Sequence, residues 1–272
     1  MIEFYKMSGS GNDFILIDNR DGSLRIPDLN TFACKVCTPK LSVGADGLII
    51  IVPSDKADFR WLFFNADGSE AEMCGNGGRC AARFAFIKGI APNRMSFETK
   101  AGIIDAEVND RTVKLRLTDP KDLKVDYPVS VQGTALTMNS INTGVPHAVH
   151  YVTEIESFDV FGYGREIRYH QHYKPAGTNV NFVKVMDRKS IRTRTYERGV
   201  EGETLACGTG SVASALISAW QGHVDSPVDV LVQSGEKLRI YFEKNHQGFD
   251  KVYLEGGTTY VCRGYLNEEA FE

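Results

Sequence analysis

The sequence has no excess of basic charge: 31 lysines and arginines stand against 35 aspartates and glutamates, a net charge of −4. That balance argues against a nucleic-acid partner. No apolar run approaches the ~18 residues of a membrane-crossing helix, so no membrane partner is expected. The opening Met1-Ile2-Glu3-Phe4-Tyr5-Lys6 has no apolar stretch of the kind a secretory leader carries. A reducing, cytoplasmic setting with unpaired cysteines is therefore the expectation. Low-complexity segments are lacking, and so is metal-ligand spacing. Cys34-x-x-Cys37 lies on an amphipathic helical stretch with no second pair to complete a zinc site, and no metal is expected. Cys80, inside an alanine-rich stretch, reads as core. The length of 272 residues and the 42% hydrophobic fraction fit two globular domains, each with its own core.

Against these absences stands a duplication. The frame Glu-x-x-x-Cys-Gly-x-Gly occurs as Glu70-Ala71-Glu72-Met73-Cys74-Gly75-Asn76-Gly77 and again as Glu203-Thr204-Leu205-Ala206-Cys207-Gly208-Thr209-Gly210. Each copy leads into a proline-free, alanine-rich stretch of about three turns. These stretches end at Gly89 and Gly222, where glycine is the usual helix stop. The second is apolar on nearly every face, the mark of a helix enclosed on all sides. Nine residues before each cysteine stands a polar residue, Asn65 or Arg198, closing a strand-like run over 59–65 or 191–198. The repeated unit is strand, polar strand end, loop, cysteine, helix.

Helix N-termini carry unpaired N–H groups and a positive dipole end, which attract carboxylates and favour thiolates. Two such termini facing one substrate carboxylate would place a sulfur on each side of its α-carbon. One thiolate could remove the α-proton while the opposite thiol supplied another, as a two-base racemase requires. Gly208-Thr209-Gly210-Ser211-Val212-Ala213 also fits the dinucleotide pattern G-x-G-x-x-A, but no apolar strand leads directly into it.

The rest reads as β-rich. Strands are expected near residues 2–6, 14–18, 48–53, 59–65, 95–99, 103–108 and 113–117. In the second half they are expected near 135–140, 148–152, 179–185, 191–197, 228–232, 238–242, 252–255 and 259–263. Val113-Lys114-Leu115-Arg116-Leu117 alternates as a half-buried antiparallel strand does. A helix fits 27–36 behind Pro27, and the polar Thr118-Asp119-Pro120-Lys121-Asp122 reads as the interdomain break. Many strands around an apolar helix imply an α+β fold with a mostly antiparallel sheet curled over a central helix, once per half.

The chain resembles the diaminopimelate epimerase family. The matching segments are Lys6-Met7-x-Gly9-x-Gly11-Asn12-Asp13-Phe14, Phe64-Asn65-Ala66-Asp67-Gly68-Ser69-Glu70, Cys74-Gly75-Asn76-Gly77, Pro146-His147, Thr178-Asn179 and Tyr196-Glu197-Arg198-Gly199, followed by the second cysteine frame. The resemblance implies two pseudo-symmetric domains, 1–118 joined by a last strand in 262–272, and 119–261, with the active site between them. It implies cofactor-independent epimerisation of LL-2,6-diaminopimelate to meso-diaminopimelate, in lysine and peptidoglycan precursor synthesis. Cys74 and Cys207 would be the two bases, with Cys74 the donor and Cys207 the acceptor for the LL substrate. His147 and Glu197 would hold the reacting amino group and support catalysis. Gly75, Asn76, Gly208 and Thr209 would bind the reacting carboxylate through backbone N–H groups, and Asn12, Asn65, Asn179 and Arg198 would bind the rest of the substrate.

Four departures accompany the resemblance. Gly47 stands where many relatives carry glutamine, and Val145 where many carry asparagine. The loop Gly199-Val200-Glu201-Gly202 is one residue longer, with Glu201 as the insertion. Cys262 replaces a tyrosine found at a dimer contact in some relatives, so a homodimer is expected without that ring. The alternatives are a proline or hydroxyproline racemase, whose first cysteine is typically followed by Gly-His rather than Gly75-Asn76, a non-catalytic amino-acid-binding protein, and a redox protein.

Overall fold

The computed structural model describes residues Met1–Glu272. The chain divides into two compact units, Met1–Leu115 with Gly256–Glu272, and Arg116–Glu255. The first unit contains β1 (Ile2–Gly9), β2 (Asn12–Asp18), β3 (Gly47–Val52), β4 (Phe59–Asn65), β5 (Arg94–Thr99), β6 (Gly102–Asn109), β7 (Thr112–Arg116) and β17 (Thr259–Leu266), with helices α1 (Leu29–Cys37) and α2 (Gly75–Ile87). The second contains β8 (Lys121–Val131), β9 (Thr134–Asn142), β10 (Pro146–Tyr151), β11 (Asn179–Asp187), β12 (Ser190–Glu197), β13 (Gly202–Thr204), β14 (Val228–Leu231), β15 (Lys237–Lys244) and β16 (Phe249–Gly257), with α3 (Val160–Tyr169) and α4 (Gly208–Trp220).

The two units repeat each other strand for strand. In the first, neighbours run β17-β1-β2-β3-β4-β5-β6-β7. In the second they run β8-β9-β10-β11-β12-β14-β15-β16. Both follow one sequence of directions: antiparallel, antiparallel, parallel, antiparallel, parallel, antiparallel, antiparallel. β17, from the end of the chain, fills in the first unit the place that β8 fills in the second. It covers backbone groups of β1 that would otherwise form a bare sheet edge. This returning strand begins at Thr259, earlier than the boundary at 262 implied by the resemblance.

Each parallel crossing brings a helix. Within the first unit α2 packs on β1, β2, β3 and β6, while α1 packs on β3 and β4. β3 reads Gly-Leu-Ile-Ile-Ile-Val because the helices cover both of its faces. Leu48 and Ile50 join the α1 cluster, and Ile49 lies beside Gly77 of α2. In the second unit α4 lies within β9, β10, β11, β12, β14 and β15, and every residue from Gly210 to Ala219 is buried. Burial of Val212, Leu216 and Ile217 contributes about 1.5–3 kcal/mol each. The serines of this helix need partners in so apolar a place. Ser211 and Ser214 hydroxyls bond the carbonyls of Cys207 and Gly210 at 2.9 and 2.7 Å, and Ser218 meets Tyr151 Oη at 3.0 Å.

Both duplicated helices run 13 residues with a cysteine as N-cap in extended conformation. Each stops at a glycine in the left-handed region, Gly89 at φ 66° and Gly222 at φ 79°. α1 begins later than expected. Asp28 caps it, accepting from the N–H groups of Asn30 and Thr31 at 3.0 and 3.1 Å, and Pro27 lies outside. The segment read as an interdomain break runs into a strand, β8. Asp122 and Asp126 have positive φ, and the register slips between Lys121 and Lys124 and again before Tyr127. These bulges reset the alternation that would have revealed the strand. α3 was not expected either. It contains two glycines, and Gly164 lets it approach Tyr196, whose Cβ would lie 2.5 Å from a Cβ at that position.

Candidate active site

The first half-site lies where β2, β4 and α2 end or begin. Cys74 Sγ accepts from the Gly77 N–H at 3.4 Å, so the sulfur itself caps the helix. By helix geometry the N–H groups of Gly75 and Asn76 have no partner within the helix. The Asn76 side chain is engaged from both ends: its Nδ2 donates to Asn12 Oδ1 at 2.7 Å, and its Oδ1 accepts from Arg79 Nη2 at 3.0 Å. Asn12 in turn donates to Asp46 Oδ2 at 2.9 Å. Arg79 is wholly buried, also bonding Ser10 Oγ and the Gly75 carbonyl. Asn65, exposed, closes β4 with a turn in which its Nδ2 donates to Ser69 Oγ at 3.0 Å.

The second half-site repeats the scheme with other chemistry. Cys207 has no side-chain capping bond, and its Sγ lies 3.6 Å from Thr209 Oγ1. His147, at the start of β10, places Nε2 2.9 Å from the same hydroxyl. Asn179 Oδ1 accepts from the Arg198 backbone N–H at 2.8 Å, and its Nδ2 donates to the Pro146 carbonyl at 3.4 Å. Asn179 therefore ties the His147 strand to the Arg198 turn. Arg198 Nη1 donates to the Ala176 carbonyl at 3.0 Å. Burial pushes the Glu197 carboxyl above its ordinary range, with the Thr204 hydroxyl pulling the other way. Burial, aided by the positive charge of Arg198, pushes His147 down to about 3, so its ring is neutral at ordinary pH.

The repeat also corrects one correspondence. Glu70 lies opposite Phe64, and Glu203 lies opposite Tyr196, so the residue after each aromatic is equivalent: Asn65 matches Glu197, not Arg198. The equal nine-residue setback from the cysteines is misleading, because the second loop holds one more residue. Glu201 takes up that residue at φ 56°, with its carboxylate on Arg168 at 3.1 Å. The glutamates of the duplicated frame are also ion-paired, Glu70 with Lys100 and Glu203 with both nitrogens of a bidentate Arg194.

Gly47 has a local cause. A Cβ there would lie 2.7 Å from Phe63 Cε2 and 2.8 Å from the Phe64 carbonyl oxygen. Gly47→Gln should therefore lower stability by about 1–3 kcal/mol, the cost of overpacking, read in a denaturation curve. An unchanged curve would mean that Phe63 yields without cost.

Of the remaining cysteines, Cys37 is buried in α1, where burial pushes its thiol up to about 12, and Cys80 is buried in α2. No disulfide joins any of the six cysteines. No group of three or more His, Cys, Asp or Glu forms a metal cluster, and no helix is long and apolar enough to cross a membrane.

A profile of the family described as diaminopimelate epimerase matches residues 4–122 and 139–261. The chain belongs to the diaminopimelate epimerase family. The matched spans contain every half-site residue named above; the gap covers most of β8, the bulged strand. A diaminopimelate epimerase of Aquifex aeolicus is 48% identical over the whole of both chains, and one of Chlorobaculum tepidum is 44% identical over 96% of this chain and 99% of its own. Among solved structures, a phenazine biosynthesis protein of the PhzF family from Bacillus anthracis superposes with a TM-score of 0.75 at 17% identity, covering 97% of this chain and 98% of its own. A probable proline racemase from Agrobacterium radiobacter superposes at 0.71 with 14% identity, covering 98% and 93%. These two share the fold. Within the epimerase-family site, sequence reading missed Arg79, Asp46 and Asn181. The one available signal was an arginine inside an alanine-rich helix, five residues after Cys74.

Proposed function

We propose that the chain interconverts LL- and meso-diaminopimelate by a two-base mechanism. One of Cys74 and Cys207, as thiolate, takes the α-proton, and the other, as thiol, returns a proton to the opposite face. The observation that carries this reading is the duplication itself. Two cysteines cap two 13-residue helices at equivalent places in units of identical strand order. The N–H groups of Gly75, Asn76, Gly208 and Thr209 then hold the reacting carboxylate, where negative charge grows as the proton leaves. Glu197 serves the reacting amino group, with neutral His147 supporting catalysis from beside Thr209. Arg198 receives the distal carboxylate, and Asn12 and Asn65 bind the rest of the distal end. Asn179 joins them, its amide also tying the Arg198 backbone to the start of β10. No cofactor enters the scheme. Thiols as catalysts suit the reducing cytoplasm, and the reaction supplies lysine and peptidoglycan precursors.

Incubation with LL- or meso-diaminopimelate in D₂O under reductant tests the proposal. Deuterium should enter at the α-carbon while the two stereoisomers approach equilibrium. Exchange with proline alone would select the racemase reading, and no exchange with either would leave a binding protein.

A further inference from the structure

Behind Cys207 runs a chain of buried polar groups, of which Thr195 and Asn181 have no part in the proposed mechanism. It starts at Thr195 of β12, whose hydroxyl donates to Asn181 Oδ1 at 2.9 Å. Asn181 of β11 has no solvent exposure, and its Nδ2 donates to the Ala148 carbonyl at 3.0 Å. That carbonyl can only accept, so the amide cannot be turned round. The same Nδ2 lies 3.1 Å from His147 Nδ1, which must therefore be the unprotonated, accepting nitrogen. The ring proton of neutral His147 is then on Nε2, directed at Thr209 Oγ1, 2.9 Å away. A hydroxyl that accepts from the ring keeps its own hydrogen for another acceptor, and Cys207 Sγ lies 3.6 Å from it. Space is tight along this route: a Cβ at Gly210 would lie 2.3 Å from Asn181 Oδ1 and 3.2 Å from Cys207 Sγ.

We propose that Asn181 is a positioning residue that fixes the Nε2–H tautomer of His147, and through it turns the Thr209 hydroxyl to donate to Cys207 Sγ. This rests on the reading of Cys207 as an acid–base group. A hydroxyl aimed at the sulfur stabilises thiolate over thiol, since a hydrogen bond to the charged form favours that form. In the first half-site the sulfur accepts from the Gly77 N–H. The two cysteines are thus prepared differently, one by a backbone donor and one by a hydroxyl whose direction is set by a histidine. Of the titratable groups that share this face, Glu197 and Arg198 come from the end of β12. β11 and the first turn of α4 bring none, and β10 brings only His147 at this end.

The test uses two readouts. The first is the ¹⁵N spectrum of histidine-labelled protein, which does not depend on turnover. Wild type should show His147 protonated on Nε2. In Asn181→Asp an oxygen replaces Nδ2 and can accept from the ring, so the proton should move to Nδ1, and Nε2 should then draw the Thr209 hydrogen away from Cys207. The second readout is the pH profile of kcat/KM in the direction that needs Cys207 as thiolate. Its acidic limb should rise by about one pH unit, the size of one charge-assisted hydrogen bond, in Asn181→Asp and in Thr209→Val. Thr209→Ser should keep the wild-type profile. A wild-type His147 carrying its proton on Nδ1 would overturn the proposal, and so would a Thr209→Val profile that matches wild type. Thr209→Val keeps the question open to decision even where Asn181→Asp does not fold. If the protein exchanged no α-proton at all, the spectrum would still decide the tautomer, so the two readings fail separately.

Discussion

Cys74→Ser and Cys207→Ser should each lose epimerisation of diaminopimelate by at least about 10³-fold, within the range that a positioned acid or base contributes. Serine keeps the size and the capping capacity of the side chain, so the helix starts at Gly75 and Gly208 should survive. What it removes is an ionisable group that can be a thiolate near neutral pH, because a hydroxyl stays protonated there. Either direction of reaction needs one thiolate and one thiol, and so both substitutions should be severe and neither should spare one direction. Cys34→Ser and Cys37→Ser form the control. Cys34 is exposed on α1, and burial holds the Cys37 thiol at about 12, out of reach of ionisation. Both should turn over like wild type. Kinetics by stereoisomer ratio, with circular dichroism to confirm folding, decide the matter. A folded Cys74→Ser or Cys207→Ser retaining wild-type kcat would remove that residue from the mechanism.

The second large effect concerns stability rather than turnover. His147 has an ordinary value of 6.5 and is pushed down to about 3 by burial and by Arg198. Above pH 6.5 neither folded nor unfolded chain carries a proton there, and the contribution of the neutral ring to stability is complete. As pH falls below 6.5 the unfolded chain binds a proton that the folded chain refuses until about 3. Stability attributable to this one ring is therefore lost progressively across that window and levels off beneath it. Between pH 7 and pH 4 the loss should amount to about 3 kcal/mol at about 1.4 kcal/mol per pH unit. His147→Gln has no titrating group at the site and should show a shallower dependence by that amount, whatever its stability at pH 7. Denaturant curves for both proteins at the two pH values measure the difference. Parallel dependence would mean that water or a carboxylate reaches the ring.

Much of the fold could be read without coordinates. Fifteen strand positions follow from alternation or short apolar runs, and most of those strands turn one face, or both, to a helix. The enclosed α4 follows from apolar residues on every side, and the cysteines as N-caps follow from glycines that begin a helix. What escaped has specific causes. β8 is broken by two bulges, so no run of alternation is long enough to see. α3 holds glycines where a helix ordinarily avoids them, because Tyr196 packs against Gly164. Arg198 was paired with Asn65 by counting residues, whereas pairing across the strands matches Asn65 with Glu197. Counting cannot locate an insertion inside a turn.

The site divides along the same line. Chemistry carried by a residue type in a local frame was legible in the chain itself: a thiol before a glycine-led helix, repeated once, needs only helix geometry to suggest a paired acid and base. What only the tertiary structure decided is how those groups are held. Asn181, His147 and Thr209 are 34 and 62 residues apart along the chain, counted from His147, and meet because β10 lies parallel to β11 under the start of α4. The direction of each hydrogen bond among them depends on the Ala148 carbonyl, a backbone group with no signature in the sequence. Buried polar groups must find partners, and which partners they find is set by strand register rather than by residue type.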